Sequence, residues 1–354
     1  MTILYILLAV LIFGVLIAVH EFGHFTAAKA CGVRVEEFAI GMGPVLWKKR
    51  KGETQYSLRA VPLGGFCAMT GEDEASDDPR AFTSQSAWKR MLILVAGAFM
   101  NFLLGLVIIF CLFVSAKGFY VPVLSGFMEG CPYEGADALQ AGDQFYSIDG
   151  HRIYHTDDVL TFLSRGGDDY DLVMIRDGKK VVLKDFHMVT LSYEGQENKM
   201  FGFYLSSGVE KATLGKKLSH TWDTAMDFSR MVWMSLGQLV SGQVSVKDLS
   251  GPVGIVDMMA ETGEQAETTG DALYSIFYLA AFVAVNLAIM NLLPIPALDG
   301  GRVFLLLVTW VIEHITHKKL DPRYEGYIHA AGMVLLLGLM AFVMLNDIVR
   351  IVRG

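Results

Sequence analysis

The most chemically informative feature of the chain is a run of two histidines and a glutamate within about one helical turn, His20-Glu21-Phe22-Gly23-His24. On an α-helix, residues i and i+4 share a face, so His20 and His24 can reach the same metal ion. A glutamate beside the first histidine can accept the proton of a metal-bound water. The spacing therefore predicts two ligands and the general base of a hydrolytic zinc site.

A catalytic zinc needs three protein ligands and one open position for water. Asp299 is the best candidate for the third ligand, because it directly follows an uncharged run of 27 residues, Ala272 to Leu298. Pro294 and Pro296 break the helical pattern just before it. Broken backbone at membrane depth is tolerated only where it is buried in protein or lines a wet cavity. The prolines therefore predict that Asp299 faces inward.

Each half of this site has a simpler explanation when taken alone. The histidine pair could lie on a solvated helix end, and Asp299 could be a helix cap. A solvated end does not account for a second, proline-framed aspartate far away in the sequence. The two features together favour a metal site.

The composition predicts a membrane protein. The chain has 354 residues, of which 53% are hydrophobic and 19% charged, and its mean hydropathy is +0.42. About 20 apolar residues cross the hydrocarbon core. Four uncharged stretches are candidate spans: Ile3–Val19, Met91–Ala116, Ala272–Leu298 and Tyr327–Asn346. Val303–Ile312 is too short to span alone, and we interpret it as the second half of a broken helix.

Two other interpretations do not fit the sequence. The first apolar stretch lacks a basic start and a small-residue cleavage pattern, so we interpret it as a retained helix and not as a signal peptide. The cysteines are scattered without a CxxC pair, which argues against a disulfide framework or a thiolate zinc site. They are Cys31, Cys67, Cys111 and Cys131.

Basic residues indicate the orientation of the spans. Lys48-Lys49-Arg50-Lys51 and Lys89-Arg90 lie between the first two spans, and His317-Lys318-Lys319 and Arg323 lie between the last two. The positive-inside rule predicts that both loops are cytoplasmic. The acidic segment from Lys117 to Lys211 is then on the opposite side, as are both termini.

Three segments outside the spans have recognisable patterns. Val33 to Met69 predicts a β-hairpin beside a membrane helix, with a turn at Gly41-Met42-Gly43-Pro44. Val121 to about Gly208 predicts a small α+β domain, whose helix Thr156–Arg165 has Thr156 as N-cap and Asp157 and Asp158 near its positive end. Leu214–Val240 predicts an amphipathic helix, which either lies on the membrane or packs on the small domain.

These motifs resemble those of the site-2 protease family of intramembrane zinc metalloproteases, and within it the bacterial regulator-of-sigma-E protease type with one PDZ domain. The resemblance covers almost the whole chain. It rests on three motifs: HExxH at His20, Glu21 and His24; Gly-x-x-x-Asn at Gly97 and Asn101; and Asn-x-x-Pro-x-Pro-x-Leu-Asp-Gly at Asn291, Pro294, Pro296, Leu298, Asp299 and Gly300.

The resemblance implies roles for eight residues. Three would bind the cofactor, Zn2+: His20, His24 and Asp299. Glu21 would be the general base. Four would contact the substrate: Asn101, Asn291, Pro294 and Pro296.

The expected fold is a polytopic α-helical membrane protein with about four transmembrane helices, a membrane-associated β-hairpin and an inserted α+β PDZ-like domain. Residues 1–116 would hold the first two transmembrane helices and the cytoplasmic hairpin loop 33–69. An extracytoplasmic PDZ-like domain would cover 121–208, followed by an amphipathic helix and linker at 212–250. The last two transmembrane helices would lie in 272–354.

The expected function is that of a zinc metalloendopeptidase that cleaves single-span membrane proteins within or near the bilayer, such as anti-sigma factors or remnant signal peptides. Its expected location is the inner membrane of a bacterial cell, its PDZ-like domain would bind a C-terminal peptide, and no nucleic acid partner is expected. The alternative is a non-catalytic PDZ-containing membrane scaffold or metal-binding protein, in which Glu21 would be dispensable.

Overall fold

A computed structural model of the chain describes residues 2–72, 76–196, 198–245, 249–317 and 322–353. Lys318 and Lys319 of the second predicted basic loop lie outside these ranges, as do residues 246–248 of the predicted linker. The chain divides into two compact units, residues 1–112 with 228–354, and residues 113–227.

The described ranges contain eight α-helices and eight β-strands. The helices are α1 Thr2–Cys31, α2 Ala87–Phe113, α3 Thr156–Arg165, α4 Leu214–Val240, α5 Pro252–Gln265, α6 Thr269–Asn291, α7 Asp299–Thr316 and α8 Pro322–Arg353. The strands are β1 Val35–Lys51, β2 Thr54–Met69, β3 Gly118–Phe127, β4 Gln144–Ile148, β5 His151–Arg152, β6 Asp169–Arg176, β7 Lys179–His187 and β8 Phe203–Lys211.

Four of these helices are long and apolar enough to cross a membrane. They are α1, α2, α6 and the Gly326–Ile351 part of α8. The shortest has 23 residues, or about 35 Å of helix, which exceeds the hydrocarbon thickness of about 30 Å. Each coincides with one predicted span, so the helices fit the predicted multi-pass membrane protein.

The third predicted span is shorter than its uncharged run. The helix α6 ends at Asn291, and residues 292–298 form a loop before α7 begins at Asp299. Pro294 and Pro296 lie in this loop. They explain why the helix does not continue, because proline has no backbone N–H to donate. The predicted second half of a broken helix, Val303–Ile312, lies within α7.

Small residues let the helices of the first unit approach closely. Gly263 of α5 lies against the ring of Tyr5, where an added Cβ would be 2.9 Å from two ring carbons. Where α2 contacts α6, an added Cβ on Gly105 would lie 2.9 Å from the side chain of Val285. Side chains of α1, α5 and α6 form one buried apolar cluster, which includes Ala9 and Ala284. Small residues at such contacts are typical of packed membrane helices.

A buried carboxylate ties α5 to α8. Asp347 of α8 is fully buried, and its Oδ2 accepts hydrogen bonds from the backbone N–H groups of Gly251 and Gly254, both at 2.9 Å. These amides belong to the first turn of α5, where a negative charge offsets unpaired donors and the helix dipole. Arg350 lies 3.5 Å from the other carboxylate oxygen. This pairing explains how an aspartate is accommodated in an otherwise apolar helix.

The strands β1 and β2 pair antiparallel and fold over one another. Phe38 pairs with Cys67 on one side and with Tyr56 on the other, and the residues around it also have two partners. Beyond them β1 bends at Gly41, which requires glycine because its φ is +85° and an added Cβ would lie 2.6 Å from the carbonyl oxygen of Val61. The turn between β1 and β2 lies at residues 52–53, and the predicted turn residues 41–44 are part of β1. The hairpin segment predicted at Val33 to Met69 therefore contains a curled, double-sided pairing and not a flat ribbon.

The second unit is an α+β domain. Its sheet has the order β7-β6-β4-β3-β8, with β5 paired to β4. The core is centred on Phe145, Ile148 and Leu172, which are fully buried. Beside the sheet, the buried carboxylate of Asp143 receives two hydrogen bonds from the guanidinium of Arg176, both 2.7 Å long. These bonds raise the pKa of Arg176 above its usual value.

The start of α3 corrects one prediction. His155, and not Thr156, is the N-cap, and Thr156 is the first helical residue. The carboxylate of Asp158 accepts hydrogen bonds from the backbone N–H groups of Tyr154 and His155, at 2.9 and 3.1 Å. Because Asp158 binds backbone groups that precede the helix, the N-cap lies one residue before the predicted Thr156.

The helix predicted at Leu214–Val240 forms with the same bounds as α4. Within the second unit its first half packs on the small domain. His155 lies 3.2 Å from Asp227, and the ring of Phe119 stacks on His220 with centroids 4.1 Å apart. This supports the second of the two interpretations of the helix for the residues up to Asp227.

We expect Asp347→Ala to lower the thermal stability of the full chain in detergent. The substitution leaves two buried backbone N–H groups of α5 without an acceptor, at a cost of about 1–3 kcal/mol each. Differential scanning fluorimetry would measure the change. Asp257→Ala, at an exposed position of α5, is the matched control. Equal melting temperatures for the two variants would contradict the role of Asp347.

Candidate metal centre

Three ligand atoms from two helices converge in the first unit. His20 and His24 of α1 bring their Nε2 atoms to 3.1 Å from each other. The Oδ2 atom of Asp299, 275 positions after His24 in the sequence, lies 3.2 Å from the first and 3.4 Å from the second. Within the described ranges, this is the one group of three such side chains close enough to hold a metal ion.

The three atoms match the requirements of zinc. In a tetrahedral site with bonds of about 2.0–2.1 Å, ligand atoms are about 3.3 Å apart. The three separations observed here bracket that value. Two imidazole nitrogens and one carboxylate oxygen are also a common donor set for Zn2+. The Oδ2 atom of Asp299 is buried without a hydrogen-bond donor, as expected for an atom that faces the lone pairs of two ring nitrogens.

The ring of His24 is held by the neighbouring helix. Its Nδ1 atom lies 2.8 Å from the backbone carbonyl oxygen of Ile93 in α2. A carbonyl only accepts, so Nδ1 carries the proton and donates it, and Nε2 keeps a lone pair toward the centre. This contact could not be predicted from residue types, because the acceptor is a backbone atom.

The ring of His20 is held by asparagine side chains. The Nδ2 atoms of Asn101 and Asn291 lie 3.4 and 3.5 Å from its Nδ1 atom. The Oδ1 atom of Asn101 is buried without a partner. A half-turn of this amide would let its oxygen accept the proton of Nδ1. Asn101 thus contacts a predicted zinc ligand.

Two glycines make room for these rings. An added Cβ on Gly97 would lie 2.3 Å from Nε2 of His24 and 2.7 Å from Cε1 of His20. On the other helix, a Cβ on Gly23 would lie 2.4 Å from the carbonyl oxygen of Ala96. The Gly-x-x-x-Asn spacing therefore has a structural explanation. Gly97 leaves space for both imidazoles, and Asn101 contacts one of them a turn later. This role of Gly97 was not predicted from the sequence.

The loop before Asp299 is fixed by close packing. Gly300 and Gly301 lie so close to the backbone of the loop that an added Cβ would be 2.2 Å from Leu292 and 2.1 Å from Ile295. Asp299 is thereby held in the first turn of α7, where a carboxylate is favoured by the helix dipole.

Helix α8 braces the same loop from the outside. Gly332 lies against Pro296, and His329 accepts a hydrogen bond from the backbone N–H of Ala297 at 3.3 Å. Ala297 has a φ of +77°, a left-handed conformation that a non-glycine residue holds only where its surroundings enforce it. Pro294 is exposed in the loop, and the predicted contacts of both prolines with substrate remain predictions.

Glu21 lies between the centre and the hairpin. Its side chain is next to Gly65 of β2, where an added Cβ would be 3.3 Å from its Cγ. Its carboxylate lies near the backbone of Cys67 and interacts electrostatically with all three predicted ligands. The structure therefore brings together His20, Glu21, His24, Asn101, Asn291 and Asp299.

Comparison with known proteins agrees with this geometry. The model of peptidase family M50 matches residues 8–339 of the chain. A protein of Clostridium perfringens with a provisional zinc metalloprotease name is 36% identical over 347 residues, which cover 98% of this chain and 99% of that protein.

Two further relatives have more specific names. The zinc metalloprotease RasP of Geobacillus kaustophilus is 30% identical, with 96% of each chain covered. The regulator of sigma-W protease RasP of Bacillus subtilis is 28% identical, with 97% of each chain covered. The chain therefore belongs to peptidase family M50, which confirms the resemblance to the site-2 protease family and the enzyme class that its motifs predict.

Proposed function

We propose that the chain is an intramembrane zinc metalloendopeptidase in which His20, His24 and Asp299 hold Zn2+ and Glu21 is the general base. Its family and the zinc metalloprotease names of its relatives support the enzyme class and the metal. The observation that carries the residue assignment is the convergence of three ligand atoms at separations of 3.1 to 3.4 Å.

The side chains around the centre have distinct tasks. Zinc held by His20, His24 and Asp299 would polarise the scissile carbonyl and lower the pKa of a bound water to about 7. Glu21 would accept a proton from the attacking water and pass it to the leaving amine. The carbonyl of Ile93 and the amide of Asn101 would orient the two imidazoles. Preorganised ligands of this kind strengthen metal binding.

Water can reach the centre from the polar end of α1. Lys29 pairs with Glu53 at 2.7 Å, which marks a solvated level on this helix. His24 lies five residues earlier, or about 8 Å deeper along the axis. The site is thus close enough to the aqueous phase for hydrolysis and still within the length of a membrane-spanning helix.

The edge of the hairpin beside Glu21 is suited to an unwound substrate. Among the described residues, β2 residues 65–69 pair with β1 on one side only. An extended peptide could add to the free side of this segment through main-chain hydrogen bonds. A helical substrate must unwind before attack, and the same strand pairing would hold it in the open form. The substrate would also contact Asn291 at the end of α6 and Pro294 and Pro296 in the loop that follows it.

We assign the second unit as a PDZ-like domain. The helix α3 packs against β3, β4 and β8, and β8 is the last strand of its sheet. A groove between α3 and β8 would take an extended C-terminal peptide. The positive-inside rule supports an extracytoplasmic location for this unit, and the bacterial relatives favour the inner membrane of a bacterial cell for the helices.

The substrates that we propose are single-span membrane proteins. The Bacillus subtilis relative is named a regulator of sigma-W protease, which favours anti-sigma factors, and remnant signal peptides have the same topology. A PDZ-like domain outside the membrane would exclude proteins with bulky ectodomains until another protease had trimmed them. The alternative of a non-catalytic scaffold is disfavoured by the family and by the complete set of catalytic side chains.

Glu21→Gln should abolish cleavage of a reporter transmembrane segment and leave zinc bound. Loss of a general base costs about 10²–10⁴-fold in rate, while the three ligands stay intact. Cleavage by purified enzyme in detergent, with zinc measured by mass spectrometry, tests this. Glu129→Gln, at an exposed site of the second unit, is the matched control. Undiminished cleavage by Glu21→Gln would support the scaffold.

Asp299→Asn should lower both zinc content and cleavage. The amide keeps the shape of the side chain and removes the negative charge that Zn2+ prefers in its ligand. Elemental analysis of the purified full chain would give zinc per protein, with Asp271→Asn at the start of α6 as control. A normal zinc content in Asp299→Asn would show that Asp299 is not a ligand.

Asn101→Leu distinguishes two roles for Asn101. If it orients His20, zinc affinity should fall about 10–100-fold, and excess zinc should restore part of the rate with an unchanged KM. If it contacts substrate, KM should rise while zinc affinity stays normal. Competition with a chelator gives the affinity, and Asn198→Leu at an exposed site of the second unit is the control. We expect the first result.

A further inference from the structure

The last ten residues of β1, Met42 to Lys51, form an exposed surface that the catalytic centre does not use. We call these residues the outer segment. Its residues from 45 onward pair with β2 residues 54–59 on one side, and in the described part of the chain no strand covers the other side. Every residue of the outer segment is exposed. The surface is therefore available to a partner.

The outer segment changes from apolar to basic along its length. Its apolar half ends at Leu46 and Trp47, which are 67% and 54% exposed. Its basic half is Lys48-Lys49-Arg50-Lys51. A contiguous exposed apolar surface bordered by charge is typical of an interaction site.

The four cations of the basic half differ from the other basic residues near the hairpin. Lys29 and Arg80 both pair with Glu53, and Arg59 pairs with Glu37. Within the described ranges, none of the four cations of the outer segment has an ion pair or a side-chain hydrogen bond. Four adjacent positive charges without an internal partner favour an external anion.

Contacts with α1 set the depth of the outer segment. Trp47 pairs with Leu58, Leu58 pairs with Ile40, and Ile40 pairs with Gly65. Gly65 lies against Glu21, so Trp47 belongs to the row of paired residues that begins beside the predicted catalytic glutamate. At the other end, the basic half leads into the turn at Glu53, which binds Lys29.

Two independent lengths agree with this placement. The eight residues from Glu21 to Lys29 cover about 12 Å of α1. The four residues from Trp47 to Lys51 cover about 13 Å of strand. The basic half thus runs between the catalytic level and the polar end of α1, and the apolar half lies deeper.

This arrangement matches one leaflet of a bilayer. Apolar side chains belong in the hydrocarbon, tryptophan is favoured at the interface, and lysine side chains extend toward the headgroups. Clusters of basic residues beside a membrane helix are attracted to anionic lipids. An acidic peptide would satisfy the four cations and leave the apolar half exposed to water. The chemistry therefore favours a lipid over a protein partner.

We propose that the outer segment is a binding surface for anionic phospholipids, with Met42 to Trp47 in the hydrocarbon and Lys48 to Lys51 on the headgroups. This inference rests on the placement of α1 in a membrane and not on the catalytic roles assigned above. Bound lipid would hold the outer segment from the side opposite the β2 residues that contact Glu21.

Quenching of Trp47 by brominated lipids tests the proposal. The full chain is placed in nanodiscs that contain phosphatidylcholine and phosphatidylglycerol, with brominated acyl chains on one lipid at a time. Subtraction of the Trp47→Phe spectrum isolates the emission of Trp47. At equal mole fraction, brominated phosphatidylglycerol should quench this emission more strongly than brominated phosphatidylcholine. The excess should disappear in the variant K48Q/K49Q/R50Q/K51Q.

The matched control removes four exposed lysines of the second unit, in K179Q/K184Q/K199Q/K211Q, and should keep the excess. If the first quadruple variant does not fold, K49Q/R50Q should show a reduced excess. The proposal is overturned if Trp47 is not quenched, if both lipids quench it equally, or if the excess survives loss of the four cations. The same measurement on Glu21→Gln should give the wild-type result, so failure of the catalytic assignment would leave this test unaffected.

Discussion

The rest of the structure depends on three electron-pair donors that are held about 3 Å apart inside a membrane-length helix bundle. Such donors repel one another and lose hydration, and they stay together only where a cation balances them or the surrounding packing fixes them. The packing of the first unit meets the second condition. Each imidazole is held by a group on α2, and the carboxylate begins a helix whose loop is packed against its own glycines and against α8. The two helices that carry the predicted ligands are thus positioned by contacts with elements that carry none of them.

Close approach of helix backbones positions the helices that carry the predicted ligands. Gly97 sits where any larger residue would displace both histidines, and Gly300 and Gly301 let α7 turn back on its loop. In a membrane, helices gain little from burying apolar surface, so their association relies on close packing and on a few polar contacts. Asp347 is such a contact outside the centre, because it satisfies backbone amides of α5 that no lipid could satisfy. The same rule accounts for the catalytic and the structural polar groups.

The hairpin shows where sequence patterns become weak. Its strands were predicted from local residue types, and the structure has β1 and β2 in that segment. The turn between them lies at residues 52–53 and not at the predicted Gly41-Met42-Gly43-Pro44. The two-sided pairing of Phe38 was not predicted, because it joins residues on either side of a turn whose shape depends on Gly41 and its neighbours. The N-cap of α3 moved by one residue for a similar reason, since Asp158 reaches back to amides before the helix. The helix α5 was absent from the prediction, because its short apolar pattern gains a partner only when α1, α6 and α8 are assembled.

The sequence by itself determined the chemistry of this protein. The i, i+4 spacing of two histidines and the proline-framed aspartate are local patterns, and residue type alone limits what they can bind. Only the tertiary structure decided the geometry in which that chemistry operates. It brought Asp299 to within 3.4 Å of both histidines, turned the ring of His24 with a backbone carbonyl, and placed Glu21 against β2. These are contacts between residues distant in the chain, and their distances follow from how whole helices pack and not from the identity of any one residue.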